Sequence, residues 1–171
     1  MARVTRNRLD VEKAVEVLLY VTRKVPDMYA ALKVVYFADR MHLEEHGRFI
    51  YDETYIAMQH GPVPSAAYDI VKAQPPACTC DTVAQARAQF SNEGNRIVGS
   101  RDPDLDYLSA TDLECLDAAI DHYGHMSFDQ LRKASHDKAF LNTDENDAMS
   151  DEYIAQFLPN AESVLDYLRN G

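Results

Sequence analysis

Apolar residues at Val11, Ala14, Val15, Leu18 and Leu19 recur at helical spacing with Glu12, Lys13 and Glu16 on the other side, so Leu9 to Val21 predicts an amphipathic first helix. Pro26 and Asp27 mark a break and a cap. MYAALKVVYFADRMHLEEHG then predicts a second helix, with Leu32, Val35, Tyr36 and Leu43 as its buried stripe and Gly47 closing its C-terminal end. The branched and aromatic stretch RFIYDETYIAM predicts a small hairpin folding around Asp52 and Glu53. In the following corner, HGPVPS, Gly61 precedes Pro62 and Val63 precedes Pro64, which pushes both leading residues out of helical dihedrals and makes the segment run extended. Ser65 is placed to cap a third helix, AAYDIVKA, that Pro75 and Pro76 end.

Between Pro75 and Asp106 the pattern lacks a clean period. ARAQFSNEGNRIVGS reads either as a second hairpin turning at Glu93 and Gly94 or as a helical fragment followed by a strand. Ser109 then opens the helix ATDLECLDAAIDHY, closed by Gly124, and Ser127 with Gln130 has the spacing of a capping box for FDQLRKASH. The acidic run Asp144 to Glu152 predicts a solvated loop, and DEYIAQFL and AESVLDYL are closing helices broken by Pro159. No internal repeat interrupts this order. The expected fold is α+β, a predominantly helical single domain over residues 1–171 with one or two short antiparallel hairpins.

Length and charge narrow the function classes. A chain of 171 residues, 46% hydrophobic, suffices for one sizeable core. Its 17 basic against 28 acidic residues give a net charge of -11, which repels phosphate backbones and argues against nucleic acid as a partner. Arg3, Arg6 and Arg8 are a local exception and read as a solvated tail. The three cysteines form neither a zinc knuckle nor a redox pair, and no apolar run has the length of a membrane span or the character of a signal peptide. The expected location is a reducing cytoplasm.

The sharpest short motif is HLEEH, in which His42, Glu45 and His46 satisfy the H-x-x-E-H pattern of inverted zinc proteases. On a helix His42 and His46 lie one turn apart, so they are candidates to share a zinc with Glu45 as general base. A polar last turn just before Gly47 explains the same residues without a metal and is the preferred reading, because such an enzyme needs a third ligand and five-residue patterns recur by chance. His136 follows Ser135 near a helix end, where an imidazole caps carbonyls or holds a buried polar contact. Tyr36, Tyr51, Tyr55 and Tyr68 fall around the corner, either as packing beneath it or as interface residues. There is no G-x-S-x-G elbow, Walker loop or dinucleotide-binding glycine pattern, so the expectation is a non-enzymatic binding module without a cofactor.

LKVVYFADRMHLEEHGRFIYDETYIAMQHGPVPSAAYDIVK, Leu32 to Lys72, resembles the core signature of the SocA-like antitoxin family, also called the Panacea domain. LSATDLECLDAAIDHYG from Leu108 and SFDQLRKASHDKAF from Ser127 resemble the family's second half, so the resemblance spans roughly residues 9 to 140, with Phe140 where a tryptophan is common. The stretch 75–101 matches only in length and hairpin-like character. The resemblance implies an antitoxin that neutralises a cognate toxin encoded beside it by direct protein contact, or an adaptor that hands the toxin to an ATP-dependent protease. It marks Tyr36, Asp39, Arg40, Tyr55, His60, Gly61, Pro62, Pro64, Ser65, Tyr68 and His136 as scaffold or toxin-contact residues. Of these, His60, Tyr36, Asp39 and Tyr68 are expected first in an internal polar network beneath the corner.

Overall fold

The computed structural model describes residues 9–78 and 80–171, and the basic positions Arg3, Arg6 and Arg8 lie outside them. Helix α1 (Val11–Lys24) begins where the Asp10 carboxylate accepts from Lys13 N, and α2 (Met28–His46) where Asp27 accepts from Ala30 N. Each aspartate satisfies a first-turn amide that no helical carbonyl can reach. α1 buries Ala14, Val15, Leu18 and Leu19 as its spacing predicts. Glu16 corrects the expected polar face: it is buried, its carboxylate held by Arg101 at 2.6 and 3.0 Å and by Asp104 N at 2.7 Å.

α2 has no exposed face over Ala30 to Asp39, where every residue is buried. It is surrounded by α1, α5 (Ala110–Tyr123), α6 (Phe128–Ser135) and strand β2 (Gly61–Pro64), with α8 (Asp151–Ala155) and α9 (Ala161–Asn170) at its far end. A helix enclosed this way needs apolar residues all round, which is why its stripe is wider than the four positions the pattern singled out. One continuous hydrophobic cluster runs from Ala14 in α1 to Val164 in α9. Ser109 with Asp112 and Ser127 with Gln130 form reciprocal capping boxes that start α5 and α6.

The first hairpin lies further along the chain than expected. Phe49, Ile50 and Tyr51 are buried but form no strand, and Asp52 bends the chain with a φ of 57°. The paired strands are β1 (Tyr55–Met58) and β2, so the HGPVP corner is itself a strand, turning at Gln59 and His60. In this register Ile56 faces Val63 and Met58 faces Gly61, while Pro62 and Pro64 fall on the alternate positions. Antiparallel pairing needs inward N–H groups only at every second residue, so both prolines point their missing donors away from β1. The solvated loop expected at Asp144 to Glu152 instead contributes β5 (Ala148–Met149) to the other side of β1, with Ala57 N donating to Asp147 O and Asn146 N to Ala57 O. α7 (Lys138–Leu141) precedes it.

α3 (Ser65–Val71) is not capped by Ser65. The buried Glu53 carboxylate takes that role, accepting from Ala66 N and Ala67 N at 3.0 Å each and from Thr54 N at 2.8 Å, with Tyr51 Oη donating at 2.9 Å. Both readings of the unclear central stretch hold in part: α4 (Asp81–Arg87) is followed by a hairpin of β3 (Phe90–Glu93) and β4 (Arg96–Gly99), turning at Gly94 and Asn95. Removing the Glu53 cap strips three amides of a charged acceptor, so Glu53→Ala should lower stability by roughly 2–3 kcal/mol. Ser65→Ala should cost less than about 0.5 kcal/mol. Urea unfolding of the two variants checks the assignment, and equal losses would reject it.

Candidate functional site

The site is built on α2. Tyr29, Lys33, Tyr36 and Arg40 are spaced by four, three and four residues and so share one helix face. Tyr29 Oη donates to His60 O at 2.9 Å, and Lys33 Nζ to Pro62 O at 2.8 Å. Tyr36 Oη donates to Asp137 Oδ2 at 2.5 Å, and Arg40 reaches the same oxygen at 3.3 Å. This face thereby holds the hairpin corner at one end and the loop after α6 at the other. A second face carries Asp39, whose carboxylate accepts from Ile50 N at 2.7 Å and Tyr55 Oη at 2.6 Å, tying β1 to the helix.

Gly61 is the tightest point. Its φ of 114° suits glycine alone, and a Cβ there would stand 2.5 Å from Ser135 Oγ and 3.3 Å from Lys33 Nζ. Lys33 is 1% exposed, and burial pushes its ammonium down to about 7. The Pro62 carbonyl and the Tyr29 ring, whose centroid is 4.8 Å from Nζ, are the partners that the buried amine retains. Burial likewise pushes the Asp39 carboxyl up to about 7, against the Tyr55 and Ile50 hydrogen bonds that favour its charged form. Burial, and after it the basic neighbours Arg132, Lys33 and His60, lower the basicity of His136. Its Nε2 is enclosed without a hydrogen-bond partner among the described residues, and its ring lies 4.3 Å from that of Phe140.

On the outer side of this corner lies a groove of about 580 Å³. Met28, Leu32, Met58, Val63 and the rings of Tyr29, Tyr68 and Phe128 line it, with His60 and Lys33 as the basic side chains. His60, Phe128 and Tyr29 form a continuous aromatic rim, with centroids 5.3 and 4.4 Å apart, and Phe128 is 46% exposed. The predicted residues therefore separate. Tyr36, Asp39 and Tyr55 are interior and hydrogen-bonded, as is Tyr51, while His60 is exposed and Tyr68 half-exposed on the groove, outside the internal network expected for them. Pro62, Pro64 and Gly61 are buried, and Ser65 is half-buried at the first position of α3.

His42 does not face a shared metal site with His46. Its Nδ1 donates to Arg48 O and its Nε2 meets Thr111 Oγ1, both at 2.9 Å, with Asp112 Oδ1 at 3.3 Å. Both ring nitrogens are committed, Nδ1 to the segment directly after α2 and Nε2 to the start of α5. Sequence reasoning passed over Lys33, Tyr29, Phe128 and Asp137. Only Lys33 carried a signal, as the one charge inside the apolar run AALKVVYFA. The others acquire their roles from partners 31 to 101 positions away.

A mainly helical α+β scaffold, in which one enclosed helix fastens a His-Gly-Pro corner and a Ser-His-Asp loop, defines the class. Residues 32–140 match the family described as antitoxin SocA-like, Panacea domain, and the chain belongs to that family. The match starts at Leu32, later than the residue 9 at which the resemblance was drawn. No curated protein and no solved structure matches the chain. The family's name is that of an antitoxin, which points to a toxin as partner. Among the described residues no helix is long and apolar enough to cross a membrane.

Two outcomes test this geometry. Gly61→Ala combines backbone strain with a clash and should cost roughly 2–5 kcal/mol in urea unfolding. The second concerns Lys33, which is losing its proton in the folded state from about pH 7 while it stays protonated in the unfolded chain up to its ordinary value of 10.5. The unfolded state therefore binds more protons, and Lys33 makes stability rise with pH by up to about 1.4 kcal/mol per unit. Between pH 7 and 9 the wild-type protein should gain stability relative to Lys33→Met, and parallel curves for the two would refute the buried-amine assignment.

Proposed function

We propose that this chain is an antitoxin that neutralises a cognate toxin, the product of a neighbouring gene, by direct protein contact, and that it is not an enzyme. The observation that carries this reading is the apolar groove beside β2 and the turn before it, most of whose lining residues fall within the matched stretch 32–140. Its aromatic rim is exposed and held in place from below by Tyr29 on His60 O and Lys33 on Pro62 O. Prefixed rings of this kind supply large contact area at small entropic cost on binding. The interior polar groups support binding over catalysis, since Tyr36, Asp39, Tyr55 and Lys33 each spend their hydrogen-bonding capacity on fastening the scaffold.

The test is co-expression with the adjacent open reading frame. The neighbour alone should arrest growth, and co-expression should restore it with a complex that co-purifies. Phe128→Asp places a charge in the groove rim and should abolish rescue and co-purification while changing stability by only about 1 kcal/mol. Rescue by Phe128→Asp at wild-type level would move the interface elsewhere. Disappearance of the toxin only when an ATP-dependent protease is present would identify an adaptor in place of direct neutralisation, and a harmless neighbour would reject the antitoxin reading.

A further inference from the structure

The last turn of α2 and the second turn of α5 bring three different metal-binding donors together. One ligand atom each from Glu45, His46 and Cys115 lies within 4.8 Å of the other two. Glu45 and His46 are neighbours in the HLEEH stretch, with His46 Nε2 3.7 Å from Glu45 Oε2, and Cys115 comes from the facing helix. From these positions we infer that Glu45, His46 and Cys115 form a zinc site bridging α2 and α5, with a fourth coordination position open to water.

The donor set selects the ion. A thiolate and an imidazole disfavour magnesium and calcium, which take oxygen ligands, whereas zinc accepts sulfur, nitrogen and carboxylate oxygen together in a tetrahedral shell. Donors in such a shell stand roughly 3–4 Å apart at zinc bond lengths, so the three groups need to close by about 1 Å. The mobile ones are the exposed ones: the His46 side chain is 32% and that of Glu45 63% exposed, while Cys115 is 3% exposed and fixed in the packed helix interface. Burial first, and the carboxylates of Glu45, Glu114, Asp112 and Asp39 second, hold the Cys115 thiol in its protonated form, so zinc has to displace that proton to bind. When zinc binds, the thiol proton passes to solvent and a sulfur–zinc bond forms, with no change of oxidation state. His42 is excluded as a ligand although its ring lies 4.7 Å from that of His46, since its nitrogens are held by Arg48 and Thr111.

Cys78 and Cys80 are exposed thiols, so the experiment uses the full chain carrying Cys78→Ser and Cys80→Ser. This protein, stripped with chelator, should bind one equivalent of zinc from ZnCl2 and show a Tm that rises with free zinc. CoCl2 should give a tetrahedral visible spectrum with a thiolate-to-cobalt charge-transfer band. Both signals should vanish in Cys115→Ala and in His46→Gln, the second of which alters only a partly exposed side chain and keeps the fold. Absence of stoichiometric binding, a cobalt spectrum without the thiolate band, or binding retained in either variant would overturn the site. None of these readouts involves a toxin, so the antitoxin reading stands or falls separately.

Discussion

Enclosure of α2 is the constraint on which the rest of the structure depends. Over the turns where it has no wet face it must send every polar side chain to a protein partner, because an unpaired buried group costs about 1–3 kcal/mol. Lys33, Tyr36, Asp39 and His42 are the polar groups so enclosed, and each fixes a different segment: the hairpin corner, the loop after α6, the start of β1 and the start of α5. The segments have little regular structure of their own. Their positions are inherited from one helix, which explains how four-residue strands and an eight-residue helix can form a defined surface.

That inheritance links the motif to the groove without placing all of the motif in it. Gly61 exists to let the corner approach α2 and Ser135 closely, and the interior tyrosines hold the approach. His60 is then displayed outward by its own backbone carbonyl, which Tyr29 anchors, while its ring meets Phe128 from α6. Residues adjacent in the sequence thus divide between support and display.

Much of the helical framework was legible from local chemistry. Asp27, Ser109 and Ser127 announce helix starts because a cap satisfies amides within its own turn, and Gly47 announces an end because its left-handed φ of 74° suits glycine. The hairpin was misplaced for a physical reason as well. Asp52 and Glu53 between apolar runs imitate a turn, and Asp52 does bend the chain, but Glu53 is turned inward to cap α3 from a distance that no local pattern encodes. Two prolines argue against a strand unless the register puts both on one side, and register is a property of the pair. The same limit applies to the sites: HLEEH places His42 and His46 on one turn, yet the tertiary fold commits His42 to Thr111 and sets Cys115 beside His46.

The alternation of Pro62 and Pro64 along β2 also restricts how any partner can be read. An edge strand with free amides accepts almost any extended peptide through backbone pairing, which gives affinity with little discrimination. Here the outer edge offers carbonyls only, and that of Pro62 is already occupied by Lys33. A partner docking at this corner would have to be met side chain against side chain. Substituting a few rim residues would then change what this corner can contact, with the backbone unchanged and strand capture along β2 closed off.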